Sequence, residues 1–205
     1  MNDYSLTNSM ARIIDETKLE RIKLATIELI VSNGYGGASI SKIAQMAGVA
    51  EGYLYRHYPS KQELVKDLLR SNLNQIVETL EQSQKESQDL TKILEIVIRL
   101  FFNLAKTESH RIKFLFALMN DYNFVIDEEI KSKIINQCIA IKKIGLAHNQ
   151  LDPLISEEDI YLFGVSYPIV FINHRIKNYF GTSELDENAI QKVLQISLKA
   201  LFIKE

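Results

Sequence analysis

The 205-residue chain has one cysteine, Cys138, three prolines and no tryptophan. A single thiol supports neither a disulfide framework nor a cysteine-rich zinc site, and it suits a reducing cytoplasm. No charge of one sign dominates: 24 basic residues stand against 26 acidic ones, a net charge of −2. That excludes a polybasic coat for nucleic acid, though not a local basic patch. No apolar run is long enough for a membrane helix. The longest uncharged one, Ile160 to Ile172, falls short of the roughly 18 residues needed and is interrupted by Gly164, Ser166 and Pro168. It reads as a buried helix. The polar opening, Met1 to Arg12, does not read as a signal peptide. Low-complexity segments and internal repeats are absent too. What remains is 46% apolar and 24% charged, the balance of a globular protein large enough to build a core.

Glycine is scarce and unevenly placed. Five of the eight glycines, Gly34, Gly36, Gly37, Gly48 and Gly52, fall in one stretch, and Pro59 closes it. This stretch is cut into short pieces, while the rest is built of long ones. Leu19, Ile22, Ala25, Leu29 and Ile30 recur at helical spacing, after a Thr17/Glu20 pair at capping-box distance. Gly34 is suited to stop that helix. Short helices follow over Ser39–Met46 and Ala50–His57. A second capping box, Ser60/Glu63, opens a long helix bearing Leu64, Leu68, Leu73, Ile76 and Leu80. Further helices are expected near Asp89–Thr107, Glu108–Met119, Asp127–His148, Ser156–Tyr179 and Asp186–Ile203. No segment alternates with the period of a strand, so the expected fold is all-α with about nine helices. Its parts are a three-helix N-terminal domain over residues 1–62 and a larger helical domain over 63–205.

Two short helices joined through Ala47, Gly48 and Val49 make a helix-turn-helix, whose second helix fits the major groove. From Lys18 to Lys61, six cations (Lys18, Arg21, Lys23, Lys42, Arg56, Lys61) stand against three carboxylates (Glu20, Glu28, Glu51). A basic end on an acidic body is the electrostatic footprint of a DNA reader.

The run from Gly34 to Lys61, followed by Glu63 and Leu64, resembles the DNA-binding domain of the tetracycline-repressor (TetR) family. Its glycine and aromatic after the first helix, Ser39, Ile43-Ala44, Ala47-Gly48-Val49, Leu54-Tyr55, His57-Tyr58 and Ser60-Lys61 fill that family's slots. The resemblance implies that Ser39, Lys42, Tyr55, His57 and Lys61 meet phosphates. It implies that Ser41, Glu51, Gly52 and Tyr53 face base edges, with Gly52 admitting close backbone approach. Glu51 is suited to accept from cytosine N4 or to favour its helix N-terminus. Tyr53 is larger than the residue usual in that slot. It is suited to touch a thymine methyl or to lie against sugar and backbone.

The same resemblance implies a body that holds a small apolar or amphipathic effector. It also implies a homodimer through helices near 156–179 and 186–203, and a palindromic double-stranded DNA operator. The crowd of aromatics in the middle helices suits a pocket and suits a filled core equally. Phe101, Asn103, His110, Phe114, Cys138 and Tyr167 are the pocket candidates. Glu95, Arg99 and Asn103 form one polar stripe on an otherwise apolar helix, either a solvent face or the lining of a cavity. Pro168 frees the carbonyl of Gly164 and is expected to kink its helix. Enzyme readings find no support: no Gly-Lys-Ser/Thr completes a P-loop, no zinc-protease or nucleophile-elbow motif occurs, and the four histidines are scattered. No cofactor, metal or catalytic residue is expected. The implied function is a transcriptional regulator, a repressor released by its effector. The alternative is a helical ligand-binding or interaction protein with a degenerate DNA-binding head.

Overall fold

A computed structural model of the chain describes residues 3–202, with side chains from residue 15 onward. Among these residues every extended element is a helix, and the only ladder-type pairing is an isolated antiparallel bridge between Leu151 and Phe202. The all-α expectation holds. Two compact units divide the chain. One contains the residues up to Leu69 together with Ala117–Val125; the other contains Arg70–Phe116 and the residues from Ile126 onward.

The first unit, the head, begins with α1 (Asp3–Gly37). The helix runs straight through Thr17, so the capping-box pair there does not mark its start. Nothing from residue 3 to 16 is a glycine or proline, and the polar pattern alone did not reveal that the helix extends so far back. At the other end Gly34 breaks the helical path with φ 71° and ψ 171°, a conformation open to glycine. Then come α2 (Ile40–Ala47), α3 (Glu51–His57) and the first turns of α4 (Lys61–Glu86). Ile22, Ile30, Ile43, Leu54, Leu64 and Val65 are fully buried and form the core of this unit.

The second unit, the body, holds the rest of α4, most of α6 (Ser109–Met119), α5 (Leu90–Thr107) and α7 (Glu128–Ala147). It also holds α8 (Glu157–Tyr161), α9 (Tyr167–Ile176) and α10 (Glu187–Leu201). The expected end of the last helix, Ile203, lies outside the described residues. Helix α5 is central: Leu90, Ile93, Ile98, Phe101 and Phe102 are buried completely, and it packs on α7, α9 and α10. Between α8 and α9 the chain passes without a break through a π-helical turn, Leu162–Ser166. Its cause is Pro168. Lacking an N–H, it cannot bond the carbonyl of Gly164, so the ladder widens by one residue and Tyr167 N–H bonds Leu162 instead. Pro168 thereby lies in the first turn of α9, where its missing donor costs little. Ser197, fully buried on α10, donates its hydroxyl to the Phe163 carbonyl at 2.7 Å inside the same turn.

Candidate nucleic-acid interface

The helix-turn-helix is fixed by its caps. Exposed Ser39 caps α2, its hydroxyl accepting the Lys42 N–H at 3.2 Å. Gly48 ends α2 in the left-handed region, φ 65° and ψ 43°, and its N–H reaches the carbonyls of Ala44 and Gln45. A side chain there is strained, so the tight turn requires glycine. Val49 N–H bonds the Ala44 carbonyl at 3.0 Å and carries the chain into α3. Ile43, Ala44, Ala47 and Leu54 are buried between the two helices and lock their angle.

This packing decides which side chains reach outward. On α3, Glu51, Gly52, Tyr55, Arg56 and His57 are exposed, as are Ser41 and Lys42 on α2. Tyr55 is 54% exposed, a large aromatic surface left to solvent. A Cβ built on Gly52 meets nothing within 4 Å. The fold therefore does not require glycine at this helical position, where it costs about 1 kcal/mol of helix propensity relative to alanine.

Tyr53 corrects the expectation. It is 8% exposed and turned away from the outer face. Its hydroxyl donates to the Asp15 carboxylate and lies 3.3 Å from the Asp15 carbonyl. Burial, then the bond to Asp15, push its pKa up to about 12, so it stays a donor. It does not present its ring to base edges. Burial removes its large ring from water, and Asp15 on α1 supplies an acceptor for its hydroxyl.

Lys61 also does more than the motif implies. Its ammonium donates to the carbonyls of Tyr35 at 2.7 Å and Ala38 at 2.9 Å, and lies 3.9 Å from the Tyr35 ring centroid. Burial lowers its pKa, opposed by the Asp121 carboxylate. It braces the junction between α1 and α2 from the first turn of α4. Asp121, 86 residues from Tyr35, accepts the Tyr35 N–H at 2.5 Å. The Asn123 N–H, then the Tyr35 N–H, hold its carboxyl below the ordinary aspartate range. Nothing local in the sequence signals this clamp. Lys18 and Arg56, counted earlier only as charge, both lie over the Tyr53 ring.

The six effector candidates are not gathered in one described cavity. Phe101 and Phe114 are wholly buried, His110 and Tyr167 half-buried. Cys138 is buried, and burial raises its thiol pKa to about 11. Asn103 is exposed. Its stripe is a solvent face, on which Arg99 bonds Glu95 at 2.8 Å and both oxygens of Glu187 on α10. Asn103 does not line an interior. Two clefts of about 280 and 340 Å³ beside α4 are lined by other residues, among them Glu78, Glu81 and Lys133. Among the described residues no helix is long and apolar enough to cross a membrane.

With this geometry in place, the likeness to known proteins is informative. Residues 22–68, which span the helix-turn-helix, match the family described as "Bacterial regulatory proteins, tetR family". The likeness to that family is carried by this segment of the chain. A curated relative, the "Fatty acid metabolism regulator protein" of Bacillus subtilis (strain 168), is 35% identical over 80 residues, 39% of this chain and 41% of the relative. The match thus spans less than half of that relative. The fold likeness extends further. A TetR family transcription regulator from Marinobacter aquaeolei VT8 superposes with a TM-score of 0.76 at 18% identity, covering 94% of this chain and all of that one. The transcriptional regulator FadR from Bacillus subtilis, solved in complex with stearoyl-CoA, gives 0.67 at 21% identity over 88% of this chain and 98% of its own. The fold likeness therefore covers most of the chain, while the family match lies within the head.

Proposed function

We propose that the chain is a DNA-binding transcriptional regulator, a repressor released from a palindromic operator by a small amphipathic effector. The observation that carries this reading is the outer face of α3. It combines a glycine the fold does not need with exposed Tyr55, Arg56 and His57 on a short helix anchored to α2 through buried Leu54, Ile43 and Ala47. A bare helix surface flanked by donors suits close approach to a duplex. In this reading Ser39, Lys42, Tyr55 and His57 meet phosphates, Ser41, Glu51 and Gly52 face bases, and Lys61 has one ammonium hydrogen left for a phosphate. Residues 1–62 bind DNA, and 63–205 hold the effector and the dimer contact.

Two copies meet through the run from α8 to α9 and through α10, where Leu162 of the π turn and Ile196 of α10 are exposed despite their apolar character. A two-fold dimer places two α3 helices about one duplex turn apart, roughly 34–36 Å. The effector is a long-chain acyl thioester, an inference supported by the fatty-acid relative and the stearoyl-CoA complex. The test is selection of bound duplexes from a random library by the purified chain, followed by addition of acyl-CoA thioesters of graded length. A palindromic consensus released by long-chain thioesters is expected. Retention of every duplex alike overturns the operator reading, and indifference to all chain lengths overturns the effector class.

A further inference from the structure

Tyr53 is buried, yet three polar side chains converge on it. The His57 ring lies 4.8 Å away, tilted by 49°. Lys18 Nζ is 5.2 Å from the ring centroid, and Arg56 Cζ is 5.1 Å from it. The hydroxyl is tied to the Asp15 carboxylate. The ring is thus held at both ends, by the α3 backbone and by α1. An aromatic face attracts cations through its quadrupole, so this ring gathers side chains from two helices. Among the described residues, neither Lys18 nor Arg56 is paired with a carboxylate. The Asp15 carboxylate is occupied by the tyrosine hydroxyl.

We infer that Lys18, Arg56 and His57 form a phosphate-binding cluster at the flank of α3, and that Tyr53 is the residue that positions it. The inference rests on the DNA-binding reading, in which His57 already meets phosphate, and adds Lys18 and Arg56 to it. Phosphate oxygens are bound by donors, and Lys18 and Arg56 have only donors to offer. Cations in the last turn of α3 also suit the negative end of the helix. That does not account for Lys18, which sits on α1 and is drawn in by the ring. A cluster spanning two helices fixes the register of α3 on a duplex, and pre-ordering on a ring reduces the conformational entropy lost on binding.

The test uses the full chain and a mixed-sequence duplex of about 30 base pairs, titrated with salt. Lys18→Gln and Arg56→Gln remove charges without touching the core. Each is expected to shrink the slope of log K against log salt by about 0.9 per bound chain. Tyr53→Leu is expected to weaken binding roughly three- to fivefold, the worth of one or two ring–cation contacts. In a Lys18→Gln/Arg56→Gln background the same change is expected to cost much less, because only His57 is left for the ring to position. Slopes unchanged in both charge variants overturn the phosphate cluster. An equal loss from Tyr53→Leu in both backgrounds overturns the positioning role. If Tyr53→Leu does not fold, the two charge variants decide. Failure of the parent chain to bind the duplex at low salt overturns the DNA-binding reading beneath both.

Discussion

In the head, polar side chains hold the backbone at defined points. Ser39 takes the Lys42 amide, Lys61 spans the carbonyls of Tyr35 and Ala38, and Asp121 takes the Tyr35 amide. In the body, many of the polar side chains pair with one another at the surface, as Lys131 does with Glu128 and Arg99 with Glu187, while aromatic and aliphatic bulk fills the interior. The contrast has a consequence for function. A backbone group has one or two partners, so each head residue has a traceable task. An apolar interior is filled by many interchangeable contacts, so no single body residue declares whether it lines a pocket or merely packs.

The contrast can be sharpened most strongly in the body. Phe101→Ala removes a fully buried ring. If Phe101 is core, stability should fall by about 3–5 kcal/mol in chemical denaturation. A loss under about 1 kcal/mol would mean that the ring borders open space, restoring it as a pocket residue.

In the head, the equivalent probe is polar. Lys61→Met keeps the apolar stem and removes a charged donor from two carbonyls. The expected loss is about 2 kcal/mol, read as a lower midpoint for the head in denaturation. By comparison Lys131→Met, an exposed pair, should change stability by less than about 1 kcal/mol.

The Asp121 clamp is testable by pH. Its carboxyl is held below the ordinary value of 3.8 by N–H donors that favour the charged form. Its contribution is therefore complete above that value and is lost as pH falls through the lower, folded-state value. Head stability should decline on acidification below about pH 4, and Asp121→Asn should flatten that part of the decline.

The smallest expected effect lies on α3. Gly52→Ala meets open space and gains helix propensity, so the head should be stabilised by about 0.5–1 kcal/mol.

Much of this organisation was legible in the sequence. Spacing and caps gave the short helices α2 and α3 to within a residue, because Ser39, Gly48 and Pro59 act locally. Pro168 announced a disturbed helix, and the π turn is its form. Other features were not legible, for physical reasons. The start of α1 depended on the mere absence of breakers. The burial of Tyr53 depended on Asp15, 38 residues away, and the Tyr35 clamp depended on Asp121, 86 residues away. Neither distance leaves a periodic trace. The reading of the Asn103 stripe turned on Glu187, a partner from another helix. In the body, composition alone did not separate a ring that packs, such as Phe114, from one that lines a pocket.

The central claim is that the outer face of α3 is kept bare for DNA, at a small expense in head stability. The most direct measurement compares the parent chain and Gly52→Leu for affinity to a library-selected duplex, alongside thermal melting of both. The account predicts that the variant melts no lower than the parent, because nothing lies within 4 Å of the added Cβ. It also predicts that affinity for the duplex drops at least about tenfold, roughly one lost base-edge contact. Full affinity in the Gly52→Leu chain would contradict it, since no duplex could then approach this face closely.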